Sequence, residues 1–169
     1  MALTFVALAS VTVGSGGAAN IEFTSIPGTY TDLAVLLCAR TTRSAVTDSV
    51  AIRFNDSTTS YTQRTLTGDG AAAGSDSETN IDGRQAGDTA TANSFGNALY
   101  YIPNYAGSTN KSVSVDSVSE TNATTAYMRL SAGLWSNTAA ITKITLVSVN
   151  SANFKQYSTA TLYGIKNTV

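Results

Sequence analysis

The chain has 169 residues, with ten Lys or Arg against eleven Asp or Glu, no histidine and a net charge of −1. Such a length fits a single domain that buries about 70% of its unfolded surface. Charge this sparse (12% of residues) and this balanced leaves no electrostatic footprint for nucleic acid or an anionic membrane surface, and 43% hydrophobic residues exclude a disordered chain.

The local signal is β throughout: short runs rich in Val, Ile, Thr, Tyr and Phe, separated by Gly, Asn, Asp and Ser. Leu3 to Val13 reads as a first strand, ended by Gly14-Ser15-Gly16-Gly17. Its flank lacks the basic segment of a signal peptide, and Thr and Gly interrupt the apolar run. No stretch of about 18 apolar residues predicts a membrane-spanning helix. Ile21 to Thr24 alternates, and Pro27-Gly28 turns the chain. Thr31 to Arg40 is almost continuously apolar, which predicts a central strand covered on both faces. Cys38 lies within it and reads as a small buried hydrophobe. As the only cysteine it forms no intrachain disulfide, which suits assembly in a reducing cytoplasm.

Ser49 to Asn55 and Ser60 to Thr67 follow as strands. Residues 68–94 then bring five glycines, three consecutive alanines and several acids. They read as a long Gly/Asp-rich loop with at most one short strand near Glu78 to Ile81, and loops of that length are usually functional. Strand signals resume at Phe95 to Ile102, Lys111 to Ser119, Ala126 to Trp135, Ile141 to Val149 and Tyr157 to Ile165. The spacing predicts one all-β domain, an antiparallel, jelly-roll-like β-sandwich of about nine or ten strands.

The absence of histidine removes Ser-His-Asp and Cys-His machinery and His-based metal sites. A pair such as Glu78 and Asp82 leaves a two-carboxylate glycosidase conceivable, but the acids lie mostly in turns or at solvent-facing positions, and the chain is expected to be non-enzymatic and without a cofactor. Asp76, Glu78, Asn80 and Asp82 recur at every second residue and offer several hard oxygens to one calcium ion. The EF-hand pattern fails there, because Ile81 stands where the sharp turn needs Gly, and a solvated acidic loop is the competing reading. Tyr100, Tyr101 and Tyr105 cluster around Pro103. They offer rings to a sugar or a protein partner, with half-buried packing at a strand end as the alternative. Trp135 closes an apolar strand and is expected in the core.

Four segments carry a resemblance. They are Ile21-Glu22-Phe23-Thr24-Ser25-Ile26-Pro27-Gly28-Thr29-Tyr30-Thr31-Asp32-Leu33, Arg53-Phe54-Asn55-Asp56, Gly133-Leu134-Trp135-Ser136-Asn137-Thr138-Ala139-Ala140-Ile141 and Leu162-Tyr163-Gly164-Ile165. Together they resemble a group of small virion proteins of tailed bacteriophages, including cyanophage-type head-decoration and tail-fibre proteins. The resemblance implies a jelly-roll-like sandwich on the virion exterior, oligomeric and expected as a homotrimer, with the major capsid protein or tail proteins as partners. It carries no catalytic motif. The expected function is capsid decoration, a cement protein on the head. The alternative is a tail-fibre or tail-tip module that presents the three tyrosines and the acidic loop to host surface polysaccharide.

Overall fold

The structure, a computed structural model, describes residues 4–122 and 126–166; Leu3, the expected start of the first strand, lies outside them. The expected all-β sandwich is found, with twelve strands among the described residues: β1 (Thr4–Thr12), β2 (Asn20–Phe23), β3 (Asp32–Ala39), β4 (Thr47–Phe54), β5 (Tyr61–Gly68), β6 (Ala73–Glu78), β7 (Asp82–Ala86), β8 (Gly96–Pro103), β9 (Lys111–Ser119), β10 (Tyr127–Trp135), β11 (Ile144–Ser148) and β12 (Thr159–Lys166). They form an eight-stranded sheet in the order β1-β12-β3-β8-β9-β10-β5-β6 and a four-stranded sheet in the order β2-β11-β4-β7. Every strand ladder is antiparallel. The chain changes layer at most connections, so neighbouring segments in sequence end up on opposite sides of one core.

Alternation decides which side chains enter that core. Along β9, Val113 and Val115 point inward, while Ser112, Ser114 and Asp116 point out. The period of two does the same for Val35 and Leu37 on β3, and for Ala98, Tyr100 and Ile102 on β8. From the smaller sheet, Ile21, Phe23, Val50, Ile52, Phe54 and Leu146 meet them.

Besides the strand count, twelve against the expected nine or ten, two expectations need correction. The first concerns β3, which is not covered on both faces. Leu36 and Cys38 are exposed, because the second sheet packs on one side only and no element among the described residues covers them on the other. The continuous apolar run therefore does not imply double burial, and Cys38 is a surface thiol. The second concerns residues 68–94, which hold two strands and not a long loop. Asp69 Oδ1 accepts from the backbone N–H groups of Ala71 (2.9 Å) and Ala72 (2.7 Å), which turns β5 into β6. Residues 79–81, expected within a strand, connect β6 in the large sheet to β7 in the small one. Strand β7 is buried by unusual means: Gly83 lies against Ala98, Ser117 and the Tyr100 hydroxyl, where an added Cβ would approach within 3.1–3.2 Å, and Gln85 Oε1 accepts from Ala39 N at 3.2 Å.

One end of the sandwich is fixed by the motif segments. Gly164 on β12 lies under the Tyr30 ring, and a Cβ there would stand 2.5 Å from its Cγ. Gly164→Ala must displace that ring, and we expect it to cost about 1–3 kcal/mol of stability, read as a shift of the urea midpoint. An unchanged midpoint would show that Tyr30 yields freely.

Candidate functional site

The acidic residues do not gather around a common point. Asp76 is exposed on β6. Asn80 Oδ1 accepts from Arg53 Nη2 at 2.7 Å. Glu78 and Asp82 do approach one another, but a buried guanidinium binds both: Arg129 Nη2 lies 2.7 Å from Glu78 Oε1 and Arg129 Nη1 lies 2.5 Å from Asp82 Oδ1. Gln63 completes the cluster, its Nε2 donating to Glu78 Oε2 (3.2 Å) and its Oε1 accepting from Asp82 N (2.9 Å). Burial pushes the Asp82 carboxyl up to about 7, although the charge of Arg129 pulls the other way. Burial also raises Glu78, but the hydrogen bond and charge of Arg129 outweigh it, so that carboxyl ends below its ordinary value. This is an internal strut joining β10 to the end of β6 and the start of β7. Among the described residues no group of three or more His, Cys, Asp and Glu is placed to hold a metal ion. The alternate spacing suggested oxygens of one loop converging on a cation; the segment is instead the end of one strand and the start of another, and the chain leaves one sheet for the other between Glu78 and Asp82. Calcium or EDTA at millimolar levels is expected to leave the thermal midpoint within about 1 °C, whereas a saturable rise with calcium would contradict this geometry.

The tyrosine cluster is also dispersed. Tyr100 and Tyr105 are fully buried. Tyr100 donates to Val50 O at 2.7 Å and so ties the two sheets together. Tyr105 donates a short hydrogen bond to Pro27 O, and its oxygen accepts from Tyr30 N at 3.3 Å. Tyr101 is half-buried and donates to Asp32 Oδ2 at 2.8 Å. Period two placed Tyr100 beside Ala98 and Ile102, inside, so the signal for its burial was already in the sequence.

The four resembling segments converge on this same end. Besides Pro27 and Tyr30, Tyr105 receives Ile141, whose N–H donates to Tyr105 O at 3.0 Å. Asn55 Oδ1 accepts from Thr142 N (2.9 Å) and Lys143 N (3.1 Å), and its Nδ2 donates to Ala140 O at 2.8 Å. Asn55 and Asp56 hold left-handed φ values of 51° and 60°, which Asn and Asp tolerate better than most residues. The motifs are thus a framework for turns and carry no reactive group.

What remains is a surface. The outer face of the eight-stranded sheet carries a row of laterally paired residues: Thr161, Leu36, Leu99, Asp116, Leu130, Leu66 and Ser75, on β12, β3, β8, β9, β10, β5 and β6. Four are leucines, with Leu66 63% and Leu130 57% exposed. The next row brings Val118 and Met128 together, the latter 68% exposed. Asp116 is the charged residue of these two rows among the described residues, and Arg64 lies in the neighbouring row, paired with Ala132. At the sheet's margin β1 is uncharged from Thr4 to Thr12 and exposes Phe5 and Val6. A long edge strand without charge or proline is open to pairing.

Comparison of the chain with protein-family models, with curated proteins and with solved structures finds no match.

Proposed function

We propose that this chain is a non-enzymatic structural protein of a tailed-bacteriophage particle, a capsid decoration protein that binds the head exterior through the outer face of its larger sheet. The observation that carries the proposal is the exposed leucine row, two pairs, Leu36 with Leu99 and Leu130 with Leu66, flanking Asp116. Soluble monomers rarely leave a contiguous apolar patch of more than a few hundred Å² open to water, and larger ones mark contact surfaces. Covering half-exposed Leu and Met side chains contributes about 1 kcal/mol each, and five of them on one sheet give a usable contact core. The resemblance of the four segments to phage virion proteins supplies the kind of particle. The resemblance implies an antiparallel sandwich, and an antiparallel sandwich is what this chain forms, which supports the reading.

In this reading the partner is the major capsid protein and the protein acts as a homotrimer outside the shell, assembled in the host cytoplasm. Its grip is apolar, so it weakens little with salt. The tail-tip alternative keeps the same fold but loses its expected sugar contacts, since Tyr100 and Tyr105 are core residues and Tyr101 is engaged by Asp32.

Co-sedimentation tests the proposal. Purified protein is mixed with heads stripped of it and, separately, with host cells. Saturable binding to heads and none to cells is the expected result, with sedimentation velocity reporting the trimer. Binding to cells alone would overturn the head assignment in favour of the tail.

A further inference from the structure

At the end of the sandwich opposite the motif framework lies a cavity of about 500 Å³, within the usual range for small-ligand sites. The turn after β1, the residues following β3, the segment before β8 and the segment before β12 border it, and it opens to solvent as a cleft. None of its lining residues belongs to the four resembling segments.

Its walls are fixed. Arg40 is only 6% exposed, and its guanidinium donates to four carbonyls of the segment before β8: Thr91 (2.7 Å), Ser94 (3.0 Å), Asp88 (3.0 Å) and Ala90 (2.9 Å). The opposite wall is held by backbone bonds from Lys155 N to Arg40 O (2.8 Å), Thr42 N to Asn153 O (2.8 Å) and Tyr157 N to Val13 O (3.0 Å). Lys155 is itself paired with Asp88. Both cations of the lining are therefore occupied, and neither is free to select a phosphate or carboxylate.

The groups left over are neutral. The side-chain amides of Asn93, Asn153 and Gln156 line the cleft, are exposed to solvent and make no hydrogen bond among the described residues, and each offers a donor and an acceptor side by side. Phe95 is half-buried in the wall. Tyr157 stands 68% exposed with φ at 71°, a left-handed conformation that is a genuine outlier for a bulky residue. Such strain persists only where the surroundings hold it. Here it keeps an aromatic ring at the mouth of the cavity.

We propose that this cavity is a binding site for a neutral saccharide. The apolar C–H face of a pyranose stacks on the Tyr157 ring, whose π-face is negative, and vicinal hydroxyls are met by the amides of Asn93, Asn153 and Gln156. Fixed walls reduce the ordering cost of binding. The site is independent of the sheet face assigned to the capsid, and both can be engaged at once.

The test is titration of the full ¹⁵N-labelled protein with methyl glucoside, methyl galactoside, methyl mannoside, N-acetylglucosamine, maltose and lactose, with inorganic phosphate and glucuronate as charged controls. At least one neutral sugar is expected to shift the amides of residues 153–157 and the side-chain amide of Asn93 saturably, with a Kd of about 1 mM. Tyr157→Gly removes the ring while suiting the left-handed backbone, so the fold is retained. It should weaken binding at least about tenfold, as should Asn153→Ala. The proposal is overturned if no neutral sugar in the set moves these signals, if Tyr157→Gly binds as well as the parent, or if phosphate or glucuronate binds there in preference.

Discussion

Arg129→Met is expected to cost about 3–5 kcal/mol of folding stability, a large share of the roughly 5–15 kcal/mol that holds a domain together. Arg129 is 2% exposed and neutralises two carboxylates that no other group in the core reaches as closely. Methionine fills much of the same space but leaves Asp82 and Glu78 facing each other, with Arg84 as the nearby cation. The loss should depend on pH. Asp82 binds its proton up to about 7 in the folded chain, against 3.8 ordinarily. It therefore contributes stability that is full below about pH 4 and is lost as pH rises through about 7. Glu78 runs the other way: its lowered value contributes stability above its ordinary titration range, lost as pH falls. Without Arg129 the opposing pull on Asp82 is gone, its proton is held more firmly, and Arg129→Met should be closer to the parent at pH 5 than at pH 8. Urea unfolding at both values measures this. A loss below about 1 kcal/mol, or one equal at both pH values, would show that the cluster does not act as a buried strut.

Trp135→Ala is expected to cost a similar 3–5 kcal/mol or so. Trp135, at the end of β10, is 1% exposed and stacks on Tyr61 (6.1 Å, 16°), with Phe54 tilted against it at 5.5 Å. Tyr61 in turn accepts from Phe54 N at 2.8 Å through its hydroxyl. Removing the indole opens a cavity where β4, β5 and β10 meet, and these neighbours are too constrained to close it. Trp135→Phe should cost much less, because the indole N–H has no partner to lose among the described residues. Urea unfolding followed by circular dichroism distinguishes the two, since Trp135 is also the sole indole fluorophore. Equal costs would mean that ring size does not matter at this position.

The fold was legible wherever apolar alternation carried it. Lys111 to Ser119 was predicted with the boundaries that β9 has, because Val113 and Val115 alternate with Ser and Asp. Strand β7 escaped because its inward positions are Asp82 and Gln85 with Gly83 between, buried by pairing and by close approach rather than by hydrophobicity. Strand β6 escaped because its side chains are small or polar and all largely solvent-facing. Leu36 and Cys38 misled in the opposite sense: an apolar run was read as double burial, when the outer face is apolar and uncovered. That same misreading hid the exposed leucine row, whose residues come from β3, β5, β8 and β10 and are brought together only by strand order. The cavity around Tyr157 had no local signal, since nothing in Lys155-Gln156-Tyr157 announces a left-handed tyrosine.

The central claim is that the outer sheet face binds the particle, and the leucine row is where to test it. Leu66→Glu with Leu130→Glu changes two exposed, laterally paired residues, so the fold should survive. It also places two carboxylates beside Asp116 at the middle of the face. Binding of this double variant to stripped heads, measured by co-sedimentation against the parent, should fall by about a hundredfold or more, with circular dichroism unchanged. Binding equal to the parent would contradict the account and move the contact to another surface.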